Sequence, residues 1–390
     1  MRSAIRFFAV AGAVVSLGMA TGRAGNQAPS PAHKVIGYYP AWTAGRYPLA
    51  DIPAAKLTHV NYAFAKVSPD FKLQMIDPQA ATERVYPDDC AEAGCKHGLF
   101  NQITLLKRKH PQLKFIISVG GWTDSGGFYE MAATEAGRRT FAQSCADFLK
   151  TYPQFDGVDM DWEHPVVGGQ QRALGQPRDA LNYVLLLQEI RKAIGPNALS
   201  TIAIGAGPNV ITPLDWVAMS AALDWTSVMT YDFHTGGPRT GYNAPLYNSN
   251  DPDNPKHNTH DAVQALLEKG VPRAKLAVGV PFYSHGWRGV ESPNVWSPAT
   301  STWNSGGWRQ IKSTLLTNPA FVRTWDDVAK VPSLYNAQTK EWTSYDDPQS
   351  IQLKGEYIVS QKLAGGMFWE LSHDDGDLLD ALRTGLGLSK

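Results

Sequence analysis

The sequence predicts an α/β fold: a (β/α)8 TIM barrel with a small α+β insertion domain between strand 7 and strand 8. Three observations lead there. Eight short β-rich runs are mostly separated by amphipathic helical patterns, as parallel crossovers require. Eight strands is the number that closes such a barrel. The runs "FIISV" and "LAVGV" are nearly all apolar, which fits strands covered on both faces. An open doubly wound sheet would want a glycine-rich phosphate loop after its first strand, and "GYYPAW" is not one.

The strands are expected, in order, at "VIGYY" (35–39), "THVNYAFA" (58–65), "KFIISVGG" (114–121) and "FDGVDMDWE" (155–163). "LSTIAIGA" (199–206), "WTSVMTYD" (225–232), "KLAVGVPF" (275–282) and "AGGMFWEL" (364–371) complete the set. Helical patterns lie between them, among them "LFNQITLLKRKH", "ALNYVLLLQEIRKAIG" and "THDAVQALLEKG", and "DLLDALRTGLG" ends the chain. Residues 284–345 are too long and too aromatic for a simple connection. They are assigned to the insertion domain, on the active-site side of the barrel. The barrel itself is assigned to residues 34–283 and 346–390.

Residues 1–24 read as a secretory signal: Arg2 and Arg6, a short apolar stretch, then small residues for cleavage at Gly18 and Ala20 or at Gly22 and Ala24. Residues 25–33 are a linker. The expected destination is extracellular, or the periplasm, with no membrane association after cleavage. Formal net charge is zero over 390 residues, with no basic stripe, so no nucleic-acid partner is expected. Hydrophobic residues make up 43%, enough for a large core. The 12 Trp and 15 Tyr exceed what a core needs and hint at a stacking ligand. Export permits a disulfide, and Cys90 and Cys95, flanking "CAEAGC", are the natural pair. Cys145 lies on the apolar face of a helical pattern and reads as a buried small hydrophobe. The cysteines have no second ligand pair at zinc spacing, so neither metal nor cofactor is expected.

The fourth strand carries the chemistry. Side chains on a strand alternate faces, so Asp159, Asp161 and Glu163 share one face while Val158, Met160 and Trp162 share the other. In a barrel the apolar face meets the helices and the acids point inward. Glu163, last in the run, reaches the C-terminal mouth, where barrel enzymes do their chemistry. Burial and like charge raise carboxyl pKa values, so the row should hold a proton at neutral pH and titrate as a coupled set. That keeps one carboxylic acid ready to donate. A solvated acidic turn and a Mg²⁺ or Ca²⁺ site are the competing readings.

"DGVDMDWE" resembles the D-x-x-D-x-D-x-E signature of glycoside hydrolase family 18, the chitinase family. "SVGG" (118–121) resembles its S-x-G-G motif, "MTYD" (229–232) its sixth-strand motif and "GGMFWE" (365–370) its eighth. "GYY" and "YAF" fit the first two strands, and the insertion is similar to that of the family's bacterial subfamily A. The resemblance spans about residues 34–388. It implies a secreted, monomeric enzyme cleaving β-1,4 bonds between N-acetylglucosamine units of chitin or chitooligosaccharides. It implies a retaining mechanism in which the substrate's acetamido oxygen, not a second enzyme carboxylate, attacks and forms an oxazolinium.

The resemblance also implies roles. Glu163 would protonate the glycosidic oxygen. Asp161 would orient the acetamido group and bear the developing charge, with Asp159 deeper and sharing its proton. Tyr231 would bond the acetamido oxygen, Asp232 would hold the sugar, and Met229 would pack below. Trp369 would floor the reacting sugar, and Tyr38 and Ser118 would polarise the inner aspartates. Phe64 and Tyr283 would line the substrate path, and the aromatic character of Trp122 and Trp287 adds them to it, since pyranose faces pack well on flat rings. Asp156 would support the strand. Two departures stand out: Tyr283-Ser284-His285 replaces the family's frequent Tyr-Gly-Arg, and "TGGP" follows "YDFH" without a nearby Trp. Competing functions are an endo-β-N-acetylglucosaminidase acting on N-glycans and a non-catalytic chitin-binding lectin. An inverting glycosidase would need a second carboxylate roughly 6.5–9.5 Å from the first.

Overall fold

Eight parallel strands close on themselves in a computed structural model that describes Met1, residues 33–87, Asp89 and residues 94–389. The signal and linker assignments lie outside the described residues, apart from Met1 and His33. Strands β1 (Lys34–Pro40), β2 (His59–Val67), β3 (Leu73–Met75), β4 (Lys114–Gly120) and β5 (Gly157–Asp161) come first. Strands β6 (Leu199–Gly205), β7 (Trp225–Met229), β8 (Leu276–Pro281) and the late β14 (Gly365–Trp369) follow in the barrel. The order is β1-β14-β8-β7-β6-β5-β4-β2, and pairing of β1 with β2 closes the ring. Strand β3 was not foreseen: it pairs antiparallel with β2 and lies outside the ring.

The alternation expected of the fourth barrel strand holds. Val158, Met160 and Trp162 pack into the layer between strands and helices. The Trp162 ring stacks on Phe128 at 5.3 Å and meets the edges of Tyr129 and Tyr183. Burying a ring of this size stabilises by roughly 4–6 kcal/mol at about 25 cal/mol per Å². The barrel interior holds a separate cluster that includes Ile36, Tyr38, Ile116, Met229, Tyr231 and Met367. Asp156 lies outside the ring, where its carboxylate meets Lys107 at 2.5 Å and Lys114 at 3.0 Å and accepts from the Phe115 amide. It ties β4 to the start of β5.

Between β8 and β14 the chain forms a five-stranded antiparallel sheet from β9 (His285–Arg288), β10 (Ser301–Trp303), β11 (Phe321–Asp326), β12 (Val331–Asn336) and β13 (Glu341–Ser344). Its order is β10-β9-β13-β12-β11. Trp287 and Trp342 are register partners on one face, with rings 5.6 Å apart, and both are fully buried. This corrects the expectation that Trp287 lines the substrate path. Alternation along β9 turns it into the sheet's own core, beside Val331 and Tyr335. The chain returns to the barrel through Asp347, which caps the helix Pro348–Ser360 by accepting from the Ser350 amide.

Cys145 is a free, buried thiol, as its helical face implied. Cys95 is disulfide-bonded. Its expected partner Cys90 lies outside the described residues.

Candidate active site

The site is assembled at the C-terminal ends of the barrel strands. Asp159 sits level with Ser118 on β4 and Thr201 on β6, because those residues are its register partners. Its Oδ2 accepts from Ser118 Oγ and Tyr38 Oη, each at 2.8 Å, and its Oδ1 from Thr201 Oγ1 at 2.6 Å. Tyr38 and Ser118 thus reach the inner aspartate as expected. Thr201 was missed, although its alternation phase in "LSTIAIGA" points it inward. Burial pushes the Asp159 carboxyl above its usual range, and the three donors pull against that rise.

Asp161 is one step nearer the mouth and 3% exposed. Burial raises its pKa well above the ordinary range, and the charges of Glu163 and Asp159 add to the rise. Its Oδ1 is buried without a hydrogen-bond partner. Glu163 lies two residues beyond the paired part of β5, not within the strand. Ser125 steers it there, by accepting from the Glu163 amide at 2.9 Å and donating to the Asp161 carbonyl at 3.1 Å. Burial, helped by the Asp232 charge, pushes the Glu163 carboxyl up to about 8. It is therefore mostly protonated at neutral pH. His164 is half-buried beside it, its Nε2 3.7 Å from Glu163 Oε2, and desolvation lowers its pKa to about 4, so it stays neutral.

Aromatic rings make the floor. Trp369 stacks on Phe64 with centroids 5.7 Å apart and planes 13° from parallel, and Tyr38 lies 5.5 Å from Trp369. Phe64 reaches this position from an irregularity in the β2–β4 pairing at Ala63 and Ala65. Gly121 makes room for it: the glycine has φ +83°, and a Cβ there would lie 2.7 Å from the Phe64 ring. Trp42 and Trp122 stand at the rim, 59% and 51% exposed, as platforms for a flat ligand must be.

Tyr231 is buried, with its hydroxyl 3.8 Å from Met367 Sδ, and Met229 shares the interior cluster with it. Asp232 follows with φ +58° and its amide donated to Asn243 Oδ1. Its Oδ1 accepts from Tyr283 Oη at 2.7 Å and lies 2.7 Å from His285 Nε2. The Tyr283-Ser284-His285 departure therefore has a visible consequence: His285 is tied to Asp232. Ser284 turns into the protein, bonded to Ser305 and the Gly306 carbonyl.

Two hollows, about 560 and about 880 Å³, meet at this centre. Glu163, Tyr231, Asp232 and Trp369 line both. Of the residues singled out in the sequence, Tyr38, Phe64, Trp122, Met229, Tyr283 and Asp161 join them on the walls of the first. Asp159 and Ser118 lie beneath as support.

A closed barrel with a protonated carboxylic acid at its mouth, an aromatic floor and two hollows meeting at that acid is the architecture of a carbohydrate-cleaving barrel protein. The comparisons agree. The model of "Glycosyl hydrolases family 18" matches residues 34–374, and the chain belongs to that family. It is 38% identical over 397 residues to Chitinase A1 of Niallia circulans, covering 88% of this chain but only 56% of that protein. Among solved structures it is similar to chitinase ChiA74 from Bacillus thuringiensis, with TM-score 0.86 and 35% identity over 92% of this chain and 70% of that one. It is also similar to a family 18 N-acetylglucosaminidase from Paenibacillus barengoltzii, with TM-score 0.77 and 31% identity over 90% of this chain and 99% of that one.

Proposed function

We propose that the chain is a chitinase that hydrolyses β-1,4 bonds between N-acetylglucosamine units by a retaining, substrate-assisted mechanism. The observation that carries this reading is the placement of Glu163. It is the one carboxyl raised to about 8 that borders both hollows, so a linear sugar chain can cross it. Glu163 gives its proton to the glycosidic oxygen as the bond to the sugar carbon breaks. The acetamido oxygen of the same sugar closes on that carbon. Asp161 takes the acetamido N–H on its unpartnered Oδ1 and offsets the developing positive charge. Tyr231 donates to the acetamido oxygen, and Trp369 holds the apolar face of the ring. Water then opens the oxazolinium and returns a proton to Glu163. The Asp159 charge raises the Asp161 pKa, and Asp161 passes its proton to Asp159 as positive charge builds on the acetamido group, while Tyr38, Ser118 and Thr201 hold Asp159.

The test is product configuration. Fresh digests of chitooligosaccharides followed by proton NMR are expected to show the β-anomer first. Fully deacetylated oligomers are expected to remain uncut. An α-anomer appearing first, or equal cleavage of deacetylated oligomers, would overturn the mechanism. Cleavage of N-glycans with chitooligosaccharides left intact would overturn the substrate.

Trp122 would act as a sugar platform. Losing about 50 Å² of covered apolar sugar face at about 25 cal/mol per Å² weakens binding by ~1.3 kcal/mol, or about tenfold. Trp122→Ala is therefore expected to raise KM by about that factor with kcat nearly unchanged, as initial rates on chitooligosaccharides will show. We also read the chain as acting in an oxidising compartment, because Cys95 is disulfide-bonded.

A further inference from the structure

The loop between β7 and the helix Thr259–Glu268 brings His234, Asp251 and His257 together, with one ligand atom from each within 4.8 Å of the others. We propose that these three residues form a binding site for a divalent transition cation of the zinc class, outside the acid row.

The hydrogen bonds argue for a cation. His234 Nδ1 lies 3.0 Å from the Tyr242 carbonyl, which can only accept, so Nδ1 carries the proton. In the neutral ring Nε2 is then a lone pair, and it faces Asp251 Oδ2 at 2.9 Å. Two acceptors at that distance need a proton or a metal ion between them. Asp251 Oδ1 is already held by the amides of Asp253 and Asn254, at 2.9 and 3.0 Å, which aims Oδ2 at the rings. Asp251 is 7% exposed, and its Oδ2 is buried without a hydrogen-bond partner. An extra proton on His234 would satisfy that pair, but it leaves the convergence of the His257 ring, whose Nδ1 is also buried and unpartnered, unexplained. A cation answers all three side chains.

The donor set fits as well. Two imidazoles and one carboxylate are a common zinc set, and ligand atoms about 2.0–2.1 Å from a tetrahedral ion sit roughly 3.3 Å apart. The backbone carbonyl on Nδ1 is the outer partner that fixes a ligating histidine's tautomer. His257 also lines the wider hollow, so the fourth position has access to solvent. The ion would pin the loop that carries Asp232 at its start.

The test uses untagged, chelator-dialysed protein. Titration with ZnCl₂ is expected to show one tight equivalent per chain, and Co²⁺ in its place should give visible bands of tetrahedral intensity. His257→Gln, a conservative change at a partly exposed position, should weaken zinc binding by at least about tenfold. Zinc should raise the Tm of the parent protein and not that of the variant. The proposal falls if the parent binds neither Zn²⁺ nor Co²⁺ more tightly than about 1 mM, if the variant binds like the parent, or if zinc leaves the parent's Tm unchanged. The His234–Asp251 contact is then a plain ion pair.

Discussion

Replacing Glu163 with Gln is expected to lower kcat by about 10²- to 10⁴-fold, the usual contribution of a positioned acid, while chitooligosaccharide binding persists. Gln keeps the shape and the hydrogen-bonding edge but has no transferable proton. The same substitution should stabilise the fold in a pH-dependent way. The Glu163 pKa is near 4.5 in the unfolded chain and about 8 in the native one. Between those values the unfolded carboxyl is ionised and the native one is not. The native state then binds more protons, so stability falls as pH rises through that window. Each unit of displacement corresponds to about 1.4 kcal/mol. Gln cannot ionise and escapes this loss. The Tm of Glu163→Gln should match the parent near pH 4.5 and exceed it by roughly 3–8 °C at pH 9. The parent's kcat/KM should fall above about pH 8 as the acid ionises. A variant with more than a tenth of parental activity would remove Glu163 from its role. A Tm difference that does not vary with pH would mean that the carboxyl titrates normally.

Much of this site was legible because strand periodicity is a rigid constraint. Once "FDGVDMDWE" is a barrel strand, Asp159 and Asp161 must point inward and Trp162 outward, and they do. The eight barrel strands came out within a few residues for the same reason. What failed depends on contacts between distant segments. Trp287 was placed on the substrate path by its aromatic character, but its phase along β9 and its partner Trp342 are set by a sheet whose register the sequence does not show. Thr201 becomes a partner of Asp159 only through the register of β5 with β6. Phe64 does line the first hollow, though it reaches that wall through a pairing irregularity that strand periodicity does not show. His234, Asp251 and His257 sit in an aperiodic loop, where no alternation says which side chains converge.

Asp161→Asn is the second large effect: kcat is expected to fall by about 10²- to 10³-fold, the scale of removing one preorganised electrostatic group. Asp161 is buried on the wall of the first hollow, with Oδ1 lacking any protein partner. Asn can still accept the acetamido N–H there, so KM should change little. It cannot offset the positive charge that spreads over the acetamido group and the sugar carbon as the ring closes. The Glu163 charge helps hold the Asp161 pKa up, whereas Glu163 itself is raised by burial and by the Asp232 charge. Asp161→Asn leaves both of those causes in place, so the alkaline fall in kcat/KM should stay near pH 8. A substrate with a good leaving group, such as an aryl chitobioside, separates the two carboxyl roles. Departure of an aryl oxide needs little proton donation, so Glu163→Gln should recover much of its loss on that substrate. Asp161→Asn should stay as impaired on it as on chitooligosaccharides, because closure of the acetamido oxygen is still required. Recovery by both variants, or by Asp161→Asn alone, would mean that Asp161 does not stabilise the charged intermediate and that attack comes from another group.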